Sequence, residues 1–159
     1  MKLRKKMNTL KAGDKAPQFT LRNQSDDVVT LADFAGKKVL LYFYPKAMTP
    51  GCTIQAQGLR DIKSSLDNKN VVVLGISPDA VKRLPKFIEK ESLNFSLLSD
   101  EDHAVADAFG VWGLKKFMGK EYEGIHRLSF LIDENGVISH VLDKFKTKEH
   151  HQVVLDLLA

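Results

Sequence analysis

Cysteine is almost absent from these 159 residues: there is one, Cys52. A lone thiol excludes an intramolecular disulfide, and it excludes a thiolate zinc cluster within one chain. No run approaches the roughly 20 apolar residues of a membrane-crossing helix. The stretch after the first basic residues, Met7-Asn8-Thr9-Leu10-Lys11, lacks the apolar character of a secretory signal. Charge of one sign is also scarce, with 24 Lys and Arg against 20 Asp and Glu. Lys2, Arg4, Lys5 and Lys6 hold the whole excess of +4, so residues 7–159 are formally neutral. A nucleic-acid binder needs a positive stripe on its folded face, so neither nucleic acid nor membrane is expected as a partner. What remains, 43% hydrophobic and 28% charged residues, suits one globular domain burying about 70% of its unfolded surface. The expectation is a single domain over 7–159, behind a disordered basic extension over 1–6. A soluble protein of a reducing, cytoplasmic compartment follows, with no metal or cofactor required.

Periodicity supplies an α/β order. Residues 13–24 read as an extended entry, then Val28 to Thr30 as a short strand and Leu31 to Phe34 as a helical turn closed by Gly36. Val39-Leu40-Leu41-Tyr42-Phe43-Tyr44 is apolar without alternation, which predicts a strand buried on both faces and stopped by Pro45. From Cys52 the apolar residues Ile54, Leu59, Ile62 and Leu66 take mostly helical spacing, up to Asn68 and Asn70. Val71 to Ser77 is a second buried strand, and Asp79 is the expected N-cap of a helix running through Lys90. Phe95 to Leu98 reads as a strand and Asp100 to Phe109 as a helix ended by Gly110. Leu128 to Ile132 and Val137 to Leu142 form a hairpin about Asn135-Gly136. Glu149 to Leu158 closes the chain as a helix. The order βαβαβαββα implies parallel crossovers plus an antiparallel edge, hence a mixed sheet flanked by helices.

The chemistry concentrates at one junction, Tyr44-Pro45-Lys46-Ala47-Met48-Thr49-Pro50-Gly51-Cys52-Thr53. A buried strand ends there, a loop follows, and Cys52 opens a helix at the carboxyl end of a central strand, where α/β sheets tend to place sites. Unpaired N–H groups and the helix dipole favour negative charge at such a position. Taken by residue type alone, a free cysteine is more often a small buried apolar residue. Its place at a helix entrance shaped by Pro and Gly favours reactivity instead.

Pro45-x-x-x-Thr49-x-x-Cys52 resembles the peroxiredoxin active-site motif, and the stretch from Tyr42 through Asp61 is similar to the bacterioferritin-comigratory-protein or PrxQ branch. Further blocks match in order, among them Gly13-Asp14-x-Ala16-Pro17-x-Phe19, Leu97-Leu98-Ser99-Asp100, Phe109-Gly110-Val111-Trp112-Gly113 and Gly124-Ile125-His126-Arg127. The resemblance implies a thioredoxin-like fold and a thiol peroxidase acting on hydrogen peroxide and organic hydroperoxides. It also implies roles: Cys52 as nucleophile, Thr49 as a hydroxyl on the peroxide, Arg127 as a fixed guanidinium, and Pro45 as a shield against water. A thiol of pKa about 8.5 is already about 3% ionised at pH 7, so full ionisation adds at most about 30-fold. Donors aimed at the departing oxygen must supply the rest.

Many members of this branch carry a resolving cysteine five residues after the first, where this chain has Gln57. A sulfenic acid on Cys52 then has no partner thiol in its own chain, which predicts a one-cysteine cycle closed by thioredoxin, glutaredoxin or glutathione. The branch resemblance implies a monomer. Two other classes compete: a cysteine hydrolase with His126 as base, and a non-catalytic thioredoxin-fold binding module. Each single residue also has a plainer reading. Thr49 suits a turn or helix cap, Pro45 a strand terminator, and Arg127 a solvated strand-edge charge. The adjacent His150 and His151 are expected to be solvated, and Trp112, Phe117, Met118 and Tyr122 to line the substrate entrance or pack on the core.

Overall fold

A computed structural model describes residues 7–159, and the expected basic extension over 1–6 lies outside the described residues. The apolar run without alternation forms β3 (Lys38–Phe43), and its side chains feed two cores. Leu40, Tyr42 and the following Tyr44 enter one, while Val39, Leu41 and Phe43 enter the other. Each side chain so buried stabilises the fold by about 1.5–3 kcal/mol. The other strands are β1 (Thr20–Asn23), β2 (Val28–Thr30), β4 (Val71–Ser77), β5 (Ser96–Ser99), β6 (Trp112–Phe117), β7 (Lys120–Ile125), β8 (Ser129–Ile132) and β9 (Ile138–Leu142). Seven of them form one sheet in the order β2-β1-β5-β4-β3-β8-β9. β3, β4 and β5 run parallel to their neighbours among themselves, and the flanking pairs are antiparallel, so the sheet is mixed as expected.

Helices cover both faces. α1 (Pro50–Asp61) and α2 (Lys63–Asn68) fill the crossover from β3 to β4, and α3 (Leu84–Glu91) fills that from β4 to β5. With α5 (His150–Leu158) they close the core that holds Leu40, Tyr42 and Tyr44. α4 (Ala104–Phe109) covers the other face, where Phe109 packs on Phe43 and Phe130.

Five expectations need correction. The helix expected from Cys52 onward starts at Pro50 and breaks at Ile62 into α1 and α2. Asp79 is not a helix N-cap, because the chain first makes a 3-10 turn over Val81–Arg83 and α3 begins at Leu84. The helix expected from Asp100 begins at Ala104, with the Asp100 carboxylate accepting the N–H groups of Val105 and Ala106. Trp112 to Ile125 forms a separate two-stranded hairpin, β6–β7, absent from the expected order, and its Phe117, Met118 and Tyr122 are exposed. His150 is fully buried rather than solvated: its Nε2 lies 2.7 Å from Ser129 Oγ, and its ring packs on Phe145.

Candidate active site

Leaving β3, the chain passes Pro45 and reaches α1 through a tight loop in which Met48 takes a left-handed φ of 66°. Thr49 occupies the N-cap position in extended conformation, and Pro50 fills the first helical position, where its missing N–H costs nothing. Thr53 N–H closes the first turn on Thr49 O at 2.9 Å. The N–H groups of Gly51 and Cys52 precede that bond and so have no intrahelical acceptor. The Thr49 hydroxyl does not cap them; it donates to Lys46 O at 2.9 Å. The positive end of α1 is therefore left to whatever meets Cys52.

Cys52 is 2% exposed and belongs to the core shared by Tyr44, Ala47 and Ala56. The two readings of a lone cysteine thus meet in one residue, which is both packed in the core and seated in the first turn of a helix. The segment between β7 and β8 brings Arg127 to it. His126 N–H donates to Val111 O and Phe43 N–H donates to Leu128 O, each at 2.8 Å, so the residues on both sides of Arg127 are pinned. Its Nη2 donates to Cys52 Sγ at 3.4 Å, and its Nη1 donates to Gln55 Oε1 at 2.6 Å. One planar fork thereby spans the sulfur and an amide, a geometry that the single point charge of lysine does not offer. The fork passes close to Gly51, where a Cβ would meet Nη2 at 3.4 Å, an ordinary van der Waals contact. Arg127 is half-buried and not the solvated edge charge of its plainer reading.

The surroundings lower the dielectric and push the titratable groups facing the sulfur toward their uncharged forms. Burial raises the Tyr42 hydroxyl well above its ordinary range, with further upward pressure from Tyr44 and from charge on Cys52. Burial likewise raises Tyr44. His150 is pushed down to about 3, first by burial and then by the positive charges of Arg127 and His151. Burial lowers Lys115 too, and Arg127 adds to the fall while Cys52 opposes it.

Of the sequence candidates, the structure brings Cys52 and Arg127 together and sets Thr49 and Pro45 in the loop beside them. His126 is directed elsewhere, with its Nε2 3.0 Å from Leu114 O. Gln57 donates to Glu91 Oε1 at 2.8 Å and ties α1 to α3. Sequence reasoning missed two groups. Gln55, three residues past Cys52, shares its helix face, a spacing that could have drawn notice. Asp79 joins the site by accepting the N–H of Ala47 at 2.7 Å, and local sequence gives no sign of that.

Residues 12–141 match the AhpC/TSA family. Peroxiredoxin Bcp of Escherichia coli strain K12 is 62% identical over 152 residues, covering 96% of this chain and 97% of that protein. Peroxiredoxin Bcp of Bacillus subtilis strain 168 is 45% identical over 150 residues, covering 94% and 96%. The solved structure of Xylella fastidiosa PrxQ superposes with a TM-score of 0.89 at 30% identity, covering 95% of this chain and 96% of that one. The mixed sheet and its helices are accordingly thioredoxin-like. The chain belongs to the AhpC/TSA family, among its Bcp and PrxQ peroxiredoxins, and is an oxidoreductase that acts on peroxides.

Proposed function

We propose that Cys52 is the peroxidatic nucleophile, and that it works in a one-cysteine cycle on hydrogen peroxide and organic hydroperoxides. In the first step the thiolate sulfur attacks one peroxide oxygen in line with the O–O bond. The S–O bond forms, the O–O bond breaks, and the leaving oxygen takes a proton and departs as water or an alcohol. Sulfur is oxidised by two electrons and the peroxide is reduced by two. Arg127 steadies the anionic sulfur and then the charge growing on the leaving oxygen. The free N–H groups of Gly51 and Cys52 add donors on the same side. Thr49 has its own hydroxyl proton directed at Lys46 O, so its Oγ1 lone pairs are available to the O–H of an incoming hydroperoxide. Pro45, half-buried at the loop's start, keeps water from the sulfur.

The second step needs a thiol from outside, because Cys52 is the only cysteine and Gln57 stands where a resolving thiol would sit. An external thiol displaces the sulfenic hydroxyl as water and leaves a mixed disulfide. A second thiol then releases Cys52 with an external disulfide as the product. Thioredoxin, glutaredoxin and glutathione are the candidate donors, in a cytoplasmic setting, and the enzyme acts as a monomer. The carrying observation is the 3.4 Å contact between Arg127 Nη2 and the chain's one sulfur. Stopped-flow peroxide consumption, paired with mass detection of one added oxygen on Cys52, tests the first step, and Cys52→Ser should abolish both signals. A sulfenic acid that none of the three donors reduces would overturn the cycle while leaving the peroxide step intact.

A further inference from the structure

Lys115 is half-buried on β6, and its side chain turns back along the hairpin toward the base. Its Nζ donates to Ile125 O at 2.7 Å. The stem runs over Gly124, where a Cβ would lie 3.4 Å from both Lys115 Cδ and Tyr122 Cε2. Ile125 stands two residues before Arg127, and His126 Nε2 lies 3.0 Å from Leu114 O. These contacts sew β6 to the segment that carries the guanidinium to Cys52.

A half-buried ammonium is costly unless an anion answers it. The neighbouring Lys116 has one, in Glu121 at 3.5 Å. Strand alternation sets Glu121 and Glu123 on the opposite face of the hairpin from Lys115, and Glu123 takes the Trp112 indole N–H at 3.3 Å. No carboxylate lies within ion-pair distance of Lys115 or Arg127 among the described residues. The titratable groups on its own side are Tyr122 and Lys120 of β7, His126 and Arg127 beyond it, and Cys52 on α1. Of these, the sulfur is the anion that the peroxidatic reading supplies.

We propose that Lys115 is a positioning residue for the peroxide reaction. Its strap to Ile125 O holds the Arg127 segment, and its ammonium adds a second positive charge to the field at Cys52 and the leaving oxygen. The inference rests on the peroxidatic roles proposed for Cys52 and Arg127. It also ties the β6–β7 hairpin, which pairs with no strand of the main sheet, to the chemistry. Burial and Arg127 lower the pKa of Lys115 from the ordinary 10.5, while charge on Cys52 opposes the fall. The second charge is therefore lost on the alkaline side. As pH rises, Cys52 ionises and the rate climbs. Lys115 then gives up its proton and the rate falls, although its amine can still donate to Ile125 O.

The test compares wild type, Lys115→Arg and Lys115→Met in the full chain. The readout is the single-turnover rate of Cys52 oxidation by hydrogen peroxide as a function of pH. Lys115→Met is expected to slow oxidation about tenfold at pH ~7 and to move the midpoint of the rising limb upward. Lys115→Arg keeps both donor and charge, and a guanidinium does not titrate in this range. It is expected to hold most of the wild-type rate and to lack the alkaline fall. A merely structural strap would lower thermal stability in Lys115→Met and leave the pH profile where it was. Wild-type rate and midpoint in Lys115→Met overturn the proposal, and so does an alkaline fall that persists in Lys115→Arg. If Lys115→Met does not fold, wild type against Lys115→Arg decides alone. Failure of the peroxidatic reading looks different: Cys52 would gain no oxygen in any of the three proteins.

Discussion

The Asp79 carboxylate accepts the backbone N–H of Ala47 at 2.7 Å, across 32 positions of sequence. The same oxygen takes the Ser77 hydroxyl at 2.8 Å, and the other receives Arg83 Nε at 3.1 Å. Arg83 Nη2 reaches Ala47 O at 3.4 Å, so one ion pair grips both backbone polar groups of Ala47. The loop it holds contains Met48 at positive φ and delivers Thr49 to the N-cap of α1. A non-glycine residue in that conformation costs about 1–2 kcal/mol, and the clamp at the end of β4 helps to offset it.

Asp79→Ala should therefore weaken the fold and the reaction together. It leaves the Ala47 N–H and the Ser77 hydroxyl buried without an acceptor and frees Arg83. The expected loss is about 3 kcal/mol in urea unfolding, with a drop in peroxide turnover larger than that of Arg83→Lys. Unfolding midpoints equal to wild type would show that the clamp is not needed.

Arg127→Lys tests the fork. An ammonium keeps the charge but cannot donate to Cys52 Sγ and Gln55 Oε1 as two prongs of one plane. The second-order rate of Cys52 oxidation should fall about 10- to 100-fold, with far-ultraviolet circular dichroism unchanged. Arg127→Met should fall further. Equal rates for the two variants would mean that charge at this position contributes nothing beyond geometry.

The sequence shows β3 and β4 clearly because a strand buried on both faces has no alternation to confuse it. It shows Cys52 because Pro50 and Gly51 mark a helix entrance. It conceals the β6–β7 hairpin because the turn residues Met118 and Gly119 both take positive φ, a two-residue hairpin turn without the Asn-Gly signature. Only the base of the hairpin, at Gly113, Gly124 and Ile125, is buried; most of the residues beyond it are exposed and print no core pattern. Asp79 misled because its carboxylate holds the N–H of Ala47 and not a helix start, and Asp100 because it caps the first turn of α4 from four residues before that helix begins. Arg127 joins Cys52 across 75 positions, so periodicity could not bring the two together, and the family resemblance alone placed it.

His150 gives the fold an acid weakness. In the unfolded chain the imidazole takes a proton near 6.5, whereas in the native core it does so only near 3. Between those values the unfolded state binds more protons, so this stability is full above about pH 6.5 and is lost as pH falls toward 3. The amount is on the order of 5 kcal/mol. Asp100 acts in the opposite direction, because burial raises its carboxyl in the native state. The contribution of His150 is therefore read as a difference between variants. Urea midpoints at pH 7 and pH ~4.5 should diverge strongly in wild type and less in His150→Leu. An identical divergence in both would place the acid sensitivity elsewhere.

Gly58 sets how closely α5 approaches α1. A Cβ at this helical position would lie 2.6 Å from His151 Nδ1, 3.0 Å from its Cγ and 3.2 Å from its Cβ. The last two atoms sit near the α5 backbone and cannot swing clear as a flexible tip would. In an open helix Gly→Ala gains about 1 kcal/mol; here overpacking of about 1–3 kcal/mol should outweigh that gain. Gly58→Ala is expected to lower the urea midpoint and to raise amide exchange along α5. The double variant Gly58→Ala/His151→Ala removes the obstructing ring, so it should recover most of the loss and regain the helix propensity of alanine. If the double variant is no more stable than Gly58→Ala alone, the ring of His151 is not what Gly58 accommodates.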